Sequence, residues 1–342
     1  MFPPLLEKLH RRQDLTVEEA GAAMGEIMEG RAQPAQIAGF LVALGMKGER
    51  PSEIVGLART MRDRATKLSR SFVPVFDTCG TGGDRAHTFN VSTVAALVVA
   101  ACGVRVAKHG NRSVSSRCGS ADLFEALGVN ITATPDVVEQ CLERAGIAFF
   151  FAPTFHPSMR HAAPARKELG IRTAFNLLGP LTNPAGASRQ LVGVPRPELT
   201  ELVARSVALL GSERAWVVHG ADGLDEISTT GYTKVSECRE GAVNTFYVHP
   251  SDFDVPKAAP EALKGGDAAE NAAIARRILS GQQGAPRDIV LLNAGVSLLI
   301  AGAANTVKEG IARATAALDS GTAERVLDDL VRESNAPVGE RA

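Results

Sequence analysis

Glycines, hydroxyl side chains and basic side chains follow one another closely between Asp77 and Ser120. They occur as Gly80-Thr81-Gly82-Gly83-Asp84, then Asn90-Val91-Ser92-Thr93, then Lys108-His109-Gly110-Asn111-Arg112-Ser113-Val114-Ser115-Ser116. Glycine lets a backbone N–H approach an anion closely because it has no Cβ, and hydroxyls or a helix N-terminus add donors. Lysine and arginine supply the charge that a ligand with several phosphates needs. Each group alone is common in ordinary turns, but the three in succession predict a polyphosphate site.

Two better-known phosphate motifs are excluded by the spacing. No segment of the chain matches the Walker pattern GxxxxGK[ST]. The dinucleotide fingerprint GxGxxG begins at Gly80 and Gly82 but fails at Arg85. The sequence therefore gives no support to NAD binding.

Carboxylates accompany the predicted phosphate site. Asp84 lies inside it, where an unpaired carboxylate would repel phosphate, so it should pair with a cation or mark a metal position. Asp225 and Glu226 follow a predicted strand at 215–219, and open α/β sheets bind ligands at the carboxyl ends of their strands. Mg²⁺ takes one or two carboxylates together with water and phosphate oxygens. We therefore expect a Mg²⁺ site here, the alternative for the adjacent acids being a solvated turn.

The elements that would position these residues are of two kinds. Up to about residue 70 the pattern is helical only, with a capping box at Thr16 and Glu19 and helix starts at Pro34 and Pro51. Beyond it, strands alternate with helices, and Ser92 or Thr93 is expected to cap the helix that follows the glycines. The predicted strands are 72–76, 104–107, 147–152, 215–219 and 243–248, and the predicted helices include one from Thr134-Pro135 to Gly146, then 288–301, 306–318 and 323–332. This alternation predicts a parallel or mixed sheet flanked by helices, beside a smaller all-helical domain.

Composition excludes several classes of protein. The formal net charge of the 342 residues is -1, so no overall field attracts nucleic acid or a membrane surface. The apolar stretch that begins at Val94 is shorter than the roughly 20 residues that a membrane span takes. Charged residues such as Glu7 and Lys8 interrupt the N-terminus where a signal peptide would be apolar. The scattered cysteines form no metal-binding pair and are typical of reduced thiols in the cytoplasm; they are Cys79, Cys102, Cys118, Cys141 and Cys238.

Six segments, in order over nearly the whole chain, resemble the anthranilate phosphoribosyltransferases. They are GTGGD at 80–84, NVST at 90–93, KHGNRSVSS at 108–116, GSAD at 119–122, FNLLGPLTNP at 175–184 and DGLDE at 222–226. The resemblance implies transfer of the phosphoribosyl group of 5-phosphoribosyl 1-diphosphate (PRPP) to the amine of anthranilate, the second step from chorismate to tryptophan. It also implies two Mg²⁺ ions per subunit, a homodimer formed through the helical domain, and a hinge between that domain and the α/β domain. The domains would comprise 1–72, joined by part of 165–192, and 73–342.

The resemblance also implies roles for individual residues. Lys108 and Asn111 would be catalytic, and Ser92, Asp225 and Glu226 would hold Mg²⁺. Anthranilate would contact Gly80, Asn111 and Arg166, with Arg172 as the next candidate for its carboxylate, and His109 would be a wall of the pocket. The PRPP site would comprise Gly80, Gly83, Asp84, Thr88, Asn90, Val91, Ser92, Thr93, Lys108, His109, Gly110, Asn111, Arg112, Ser113, Val114, Ser115, Ser116 and Ser120.

Departures from the family pattern and two other functions remain open at this point. Arg85 stands where the family usually has glycine, and Arg117-Cys118 stands where Lys-Ser is common. A pyrimidine nucleoside phosphorylase would have a similar architecture but would use phosphate as the nucleophile. A non-catalytic nucleotide-binding protein could use the same scaffold. The adjacent Asp225 and Glu226, and the segment that begins at Lys108, favour the phosphoribosyltransferase.

Overall fold

The amino-terminal part of the chain is helical, as predicted, in a computed structural model that describes residues 1–84, 86–113 and 117–337. The predicted capping box is present, since Thr16 Oγ1 accepts from Glu19 N at 3.2 Å and Glu19 Oε2 accepts from Thr16 N at 2.9 Å. Pro34 and Pro51 each occupy the first position of a helix, where proline's missing N–H has no cost. These helices are α1 (Phe2–His10), α2 (Val17–Met28), α3 (Pro34–Lys47) and α4 (Pro51–Asp63).

The rest of the chain forms a mixed sheet covered by helices. Its order is β3-β2-β1-β4-β5-β6-β7; the first five strands along this order run parallel, and β6 and β7 are antiparallel additions at one edge. The strands are β1 (Phe76–Gly80), β2 (Val106–Gly110), β3 (Ile147–Phe151), β4 (Arg189–Gly193), β5 (Arg214–Gly220), β6 (Thr233–Arg239) and β7 (Ala242–Val248). The predicted fold class, an all-helical part beside an α/β part with a helix-flanked sheet, is confirmed.

Helices connect the strands and follow the sheet. The predicted helices at 288–301 and 323–332 are present with wider bounds, and the one at 306–318 is present with its bounds shifted by one residue. Within the described residues, no helix is long and apolar enough to cross a membrane. The helices are α5 (Val91–Ala101), α6 (Ser120–Ala126), α7 (Pro135–Arg144), α8 (Ala152–Phe155), α9 (Ala163–Leu169), α10 (Phe175–Leu181), α11 (Leu199–Leu209), α12 (Ala268–Leu279), α13 (Ala285–Ala301), α14 (Val307–Asp319) and α15 (Thr322–Asn335), with 3₁₀ turns at Pro157–His161, Pro250–Phe253 and Pro260–Leu263.

Two strand predictions were displaced and two strands were missed. Of the predicted strand at 72–76, only the last residue is in a strand. β1 starts at Phe76 and continues through polar residues to Gly80. Pro74 cannot donate a ladder hydrogen bond, which explains why the apolar run does not itself join the sheet. Likewise β2 extends to Gly110 and includes Lys108, beyond the apolar run at 104–107. β4 and β6 were missed because polar side chains interrupt their apolar pattern.

The sheet separates two apolar cores. Successive residues of a strand point to opposite faces, and accordingly Leu191 packs in one core and Val192 in the other, as do Trp216 and Val217. The larger core contains α5, α7 and α12–α15. The smaller one joins α1–α4 to α10 and α11, so the segment around Phe175 packs with the amino-terminal helices.

The strand order opens a crevice at the carboxyl end of the sheet. β1 lies between β2 and β4, so the connections that leave β1 and β4 diverge to opposite faces of the sheet. Gly80, Gly110, Gly193 and Gly220 end four of the five parallel strands on this edge. The loops that follow β1, β2 and β5 carry the predicted site residues.

Candidate active site

The loop after β1 is packed tightly against the loop after β5. Gly82 N donates to Asp225 Oδ2 at 2.8 Å. A Cβ on Gly80 would lie 2.1 Å from that same oxygen, and a Cβ on Gly193 would lie 1.5 Å from the Asp225 carbonyl oxygen. Gly82 and Gly83 have φ of 67° and 78°, which favour glycine. The glycines thus permit a close approach that brings Asp225 to the predicted phosphate loop.

Arg172 lies on this glycine loop, which the sequence analysis did not anticipate. Its Nη1 donates to Gly82 O at 2.6 Å and its Nη2 to Thr81 O at 3.3 Å. A Cβ on Gly83 would lie 1.8 Å from Nη1. No local pattern could reveal this contact, because Arg172 and the glycines are far apart in the chain. The sequence had suggested Arg172 only as a second candidate for anthranilate.

Three carboxylates gather beside the glycine loop. Burial and the charge of Asp84 raise the pKa of Asp225 to about 7, and burial and the charge of Asp225 raise the pKa of Glu226 to about 8. Burial also raises the pKa of Asp84, against hydrogen bonds from backbone N–H groups. In all three, burial is the largest cause, because it disfavours the charged form of a carboxylate.

These carboxylates fit a magnesium ion. Their oxygens are hard donors of the kind that Mg²⁺ prefers, and their raised pKa values show a deficit of positive charge that a cation would correct. Among the described residues, no three His, Cys, Asp or Glu side chains surround one metal position. Mg²⁺ commonly completes its octahedral shell with water and substrate phosphates rather than with further side chains.

The N-terminus of α5 meets Glu226. Glu226 Oε1 accepts from Ser92 N at 3.0 Å, so this carboxylate satisfies one of the free N–H groups of the helix. The expectation that Ser92 or Thr93 caps the helix is wrong, because the N-cap is Asn90. Asn90 itself makes no capping bond; its Nδ2 donates to Cys118 O at 3.1 Å and its Oδ1 accepts from Asn271 Nδ2 at 3.0 Å. Val91 and Thr93 are buried in the first turn.

Lys108 lies on β2, the strand next to β1. Its side chain is only 1% exposed and its Nζ donates to Thr78 O. Its charge also opposes the burial that raises the pKa of Asp77. Asp77 Oδ2 accepts from Asn183 Nδ2 at 2.8 Å, which ties the loop after α10 to the sheet. The sequence singled out Lys108 but gave no role to Asp77 or Asn183.

The basic loop after β2 is held by Asp122. Ser113 N and Gly119 N both donate to Asp122 Oδ2, at 3.1 and 2.8 Å, which fixes the two ends of the loop. Arg112 pairs with Asp122 and Glu125 at 2.8 and 2.7 Å. The predicted ligands Val114, Ser115 and Ser116 lie outside the described residues, as does Arg85.

Further predicted residues surround this loop. Asn111 Oδ1 accepts from Arg112 N at 2.7 Å, and Ser120 Oγ donates to Asn111 O at 3.4 Å. A Cβ on Gly110 would lie 2.1 Å from Ser120 Oγ, so this glycine permits another close approach. Thr88 pairs with Lys264 in an isolated β-bridge. Of the two residues that depart from the family pattern here, Cys118 is buried and Arg117 lies 3.6 Å from Glu270.

Arg166 and two histidines lie on the side of the helical core. The Arg166 guanidinium stacks over the Phe175 ring at 5.1 Å and makes no hydrogen bond or ion pair with any residue that the structure describes. The rings of His109 and His156 lie 5.2 Å apart. Their Nδ1 and Nε2 atoms donate to Gly179 O and Thr182 O, respectively, each at 3.0 Å, since a carbonyl can only accept. Burial and the neighbouring His156 ring lower the pKa of His109 to about 3, so His109 is neutral and a poor base.

Known proteins resemble this chain over its whole length. The glycosyl transferase family, a/b domain, matches residues 73–324, and the glycosyl transferase family, helical bundle domain, matches residues 3–65. Anthranilate phosphoribosyltransferase of Moorella thermoacetica is 55% identical over 97% of this chain and 98% of its own.

Solved structures give the same result. The crystal structure of anthranilate phosphoribosyltransferase from Thermus thermophilus is 47% identical, with a TM-score of 0.91 over 97% of this chain and 99% of that chain. The enzyme from Saccharomyces cerevisiae in complex with PRPP and Mg is 29% identical, with a TM-score of 0.87 over 97% of both chains. The order of motifs, the fold and these relatives agree, and the chain belongs to the anthranilate phosphoribosyltransferase family.

Proposed function

We propose that the crevice at the carboxyl end of the sheet performs the family's reaction with the residues described above. In that reaction the anthranilate amine forms a bond to the anomeric carbon of PRPP, the bond from that carbon to diphosphate breaks, and the amine loses a proton. The product is N-(5-phosphoribosyl)anthranilate, in the second step from chorismate to tryptophan. One observation carries the proposal: charge-deficient carboxylates lie against a glycine loop at the topological switch of the sheet.

The glycine loop and the N-terminus of α5 are assigned to PRPP. Backbone N–H groups at Gly83 and in the first turn of α5 would donate to phosphate oxygens. The basic loop would enclose the phosphoribosyl group, which requires Arg112 to leave or share its present carboxylate partners. The full set remains Gly80, Gly83, Asp84, Thr88, Asn90–Thr93, Lys108–Ser116 and Ser120.

Ser92, Asp225 and Glu226 are assigned to Mg²⁺, with two ions per subunit. Bound there, the metal would supply positive charge to the departing diphosphate. Glu226 also fixes the first turn of α5, so the same side chain orients donors to the phosphates. Lys108 adds a positive charge from β2, and Asn111 lies on the basic loop that follows β2.

Anthranilate is assigned to the side of the helical core, with Gly80, Asn111 and Arg166 as contacts. The Arg166 guanidinium is partly buried, stacked on Phe175 and free of a carboxylate partner among the described residues. A planar guanidinium can bind a carboxylate through two parallel hydrogen bonds. His109 and His156 would form a neutral wall of this pocket.

The chemistry needs alignment and charge stabilisation rather than a strong base. An aromatic amine is largely unprotonated near neutrality, so its lone pair is already available. Preorganised donors at the leaving diphosphate would stabilise the charge that develops there. Closure between the helical and α/β parts would align the two substrates, an effect that can contribute about 7–11 kcal/mol. No covalent intermediate is required.

The organisation around this chemistry is part of the proposal. The helical domain would comprise 1–72 with part of 165–192, and the α/β domain 73–342; the shared packing of α10 with α1–α4 supports this division. We further propose a homodimer formed through the helical domain and a cytoplasmic location. The cysteines of the described chain form no disulfide with one another and are mostly buried, which is compatible with a reducing compartment.

A fluorescence assay tests the proposed function. Anthranilate fluorescence should fall only when PRPP and Mg²⁺ are both present, and diphosphate should appear in equal amount. Phosphorolysis of thymidine or uridine would favour the pyrimidine nucleoside phosphorylase instead. Binding of PRPP without consumption of anthranilate would favour a non-catalytic nucleotide-binding protein.

A further inference from the structure

Arg172 connects the segment between α9 and α10 to the glycine loop. This segment leads directly into α10, whose Phe175 and Leu178 pack in the same core as the amino-terminal helices. The guanidinium reaches across the crevice and donates to two consecutive carbonyl oxygens, those of Thr81 and Gly82. The proposed function gives this arginine no contact with either substrate.

The contact determines which way the loop's amides point. In a planar trans peptide the C=O and the following N–H point in opposite directions. Because Arg172 holds the Thr81 carbonyl, the Gly82 N–H points away from the guanidinium, and it does donate to Asp225 Oδ2 at 2.8 Å. By the same geometry, the Gly83 N–H points away from Arg172. That N–H donates to no other residue within the described part of the chain.

The position of Arg172 also bears on the local charge. Asp225 and Asp84 both interact electrostatically with its guanidinium. Lys108, on β2, donates to Thr78 O and acts on Glu226, but it makes no hydrogen bond with the glycine loop in the described chain. Within the described residues, Arg172 is therefore a cation that contacts the glycine loop and also interacts electrostatically with Asp225.

We propose that Arg172 is a positioning residue for the diphosphate end of PRPP, which it serves by fixing the Gly82–Gly83 peptide so that the Gly83 N–H faces the ligand. The inference rests on the proposed function. It assigns Arg172 to the donor substrate and not to the anthranilate carboxylate. Loss of the arginine should free the peptide to rotate, so the N–H would no longer be held toward diphosphate.

The test compares Arg172→Ala, Arg172→Gln and Arg172→Lys with Lys167→Ala. Lys167 is an exposed cation on α9 with no hydrogen bond or ion pair among the described residues, so its removal controls for charge. We expect Arg172→Ala to raise KM for PRPP about tenfold or more while KM for anthranilate stays unchanged. Arg172→Lys should lie between, because an ammonium keeps the charge but cannot reproduce the planar two-donor fork.

A binding measurement makes the result independent of turnover. Calorimetric titration with inorganic diphosphate and Mg²⁺ should show a matching loss of affinity in Arg172→Ala and Arg172→Gln, and none in Lys167→Ala. Thermal unfolding of each variant identifies any that fails to fold. If Arg172→Ala or Arg172→Gln fails, the diphosphate affinity of Arg172→Lys is compared with that of the unsubstituted chain instead. Unchanged diphosphate affinity in the Arg172 variants, or an effect on KM for anthranilate alone, would overturn the assignment. Failure of the unsubstituted chain to consume anthranilate would contradict the proposed function instead.

Discussion

Glu226 accepts a hydrogen bond from the backbone N–H of Ser92 at 3.0 Å, across the crevice from the loop after β5 to the first turn of α5. A carboxylate at a helix N-terminus is stabilised by the helix dipole. The pKa of Glu226 is nevertheless raised to about 8, because burial and the charge of Asp225 outweigh that contact. A cation bound at Glu226 would therefore lie beside the helix terminus that is assigned to the phosphates.

The paired carboxylates should be required for turnover and not for folding. In Asp225→Asn with Glu226→Gln, the amide oxygens can still accept from Gly82 N and Ser92 N, so the local fold should persist. Turnover should fall about a hundredfold or more, because a metal ion can supply several kcal/mol to a charged transition state. Steady-state assays over a range of Mg²⁺ concentrations, with thermal unfolding, measure both effects.

An exposed acid provides the control for this double variant. Asp328→Asn on α15 removes a charge that makes no hydrogen bond or ion pair within the described chain and should leave turnover unchanged. Full activity of the double variant at limiting Mg²⁺ would show that the metal binds elsewhere.

Lys108 should affect PRPP much more than anthranilate, and it should also contribute to stability. Its Nζ donates a hydrogen bond to Thr78 O of β1, and leaving a buried acceptor without a donor costs about 1–3 kcal/mol. Lys108→Met keeps most of the side-chain volume and removes the charge, whereas Lys108→Ala also creates a cavity. We expect both variants to raise KM for PRPP and Lys108→Ala to unfold at the lower temperature. An unchanged KM for PRPP in the methionine variant would limit Lys108 to a structural role.

Arg166 should affect the binding of anthranilate, and Arg172 should affect the binding of PRPP. Arg166→Ala should raise KM for anthranilate and leave PRPP binding nearly intact, because its guanidinium lies over Phe175 and makes no bond to the glycine loop. Arg166→Lys should restore binding only in part, since an ammonium lacks the two-donor fork. Measuring both KM values in each variant checks the division. A rise in KM for PRPP alone would move the acceptor away from Arg166.

Much of the fold and the candidate site followed from local sequence signals. Proline and capping residues mark the helices of the amino-terminal part, and the local sequence predicts both the glycines and Asp225 as site residues, though not the contact between them. The predicted bounds of β1 and β2 were wrong because these strands contain polar residues, such as Asp77 and Lys108, whose side chains are buried and hydrogen-bonded. The contact of Arg172 with the glycine loop depends on the path of the chain after α9, which no periodicity encodes.

The buried pair His109 and His156 should make a contribution to stability that is lost as the pH falls. Burial lowers the pKa of His156 to about 4 and, with the neighbouring ring, that of His109 to about 3. In an unfolded chain the pKa of a histidine is about 6.5. Below that pH the unfolded chain binds more protons at these two histidines than the folded one, so their contribution to stability falls by about 1.4 kcal/mol per pH unit for each histidine as the pH falls toward the folded values. The raised pKa values of Asp225 and Glu226 act in the opposite direction over the same range, so the difference between variants isolates the histidines.

His156→Phe should reduce this pH dependence, because the ring that takes up a proton on unfolding is gone. The variant also loses the hydrogen bond to Thr182 O, so its stability near neutrality should be lower, while its slope against pH should differ from that of the unsubstituted chain by about 1.4 kcal/mol per pH unit. His10→Asn, at an exposed position, is the matched control and should leave the slope unchanged. Urea unfolding at a series of pH values between about 6.5 and about 4 gives the slopes directly. Equal slopes for the unsubstituted chain and His156→Phe would show that His156 is not the buried neutral group that the structure indicates.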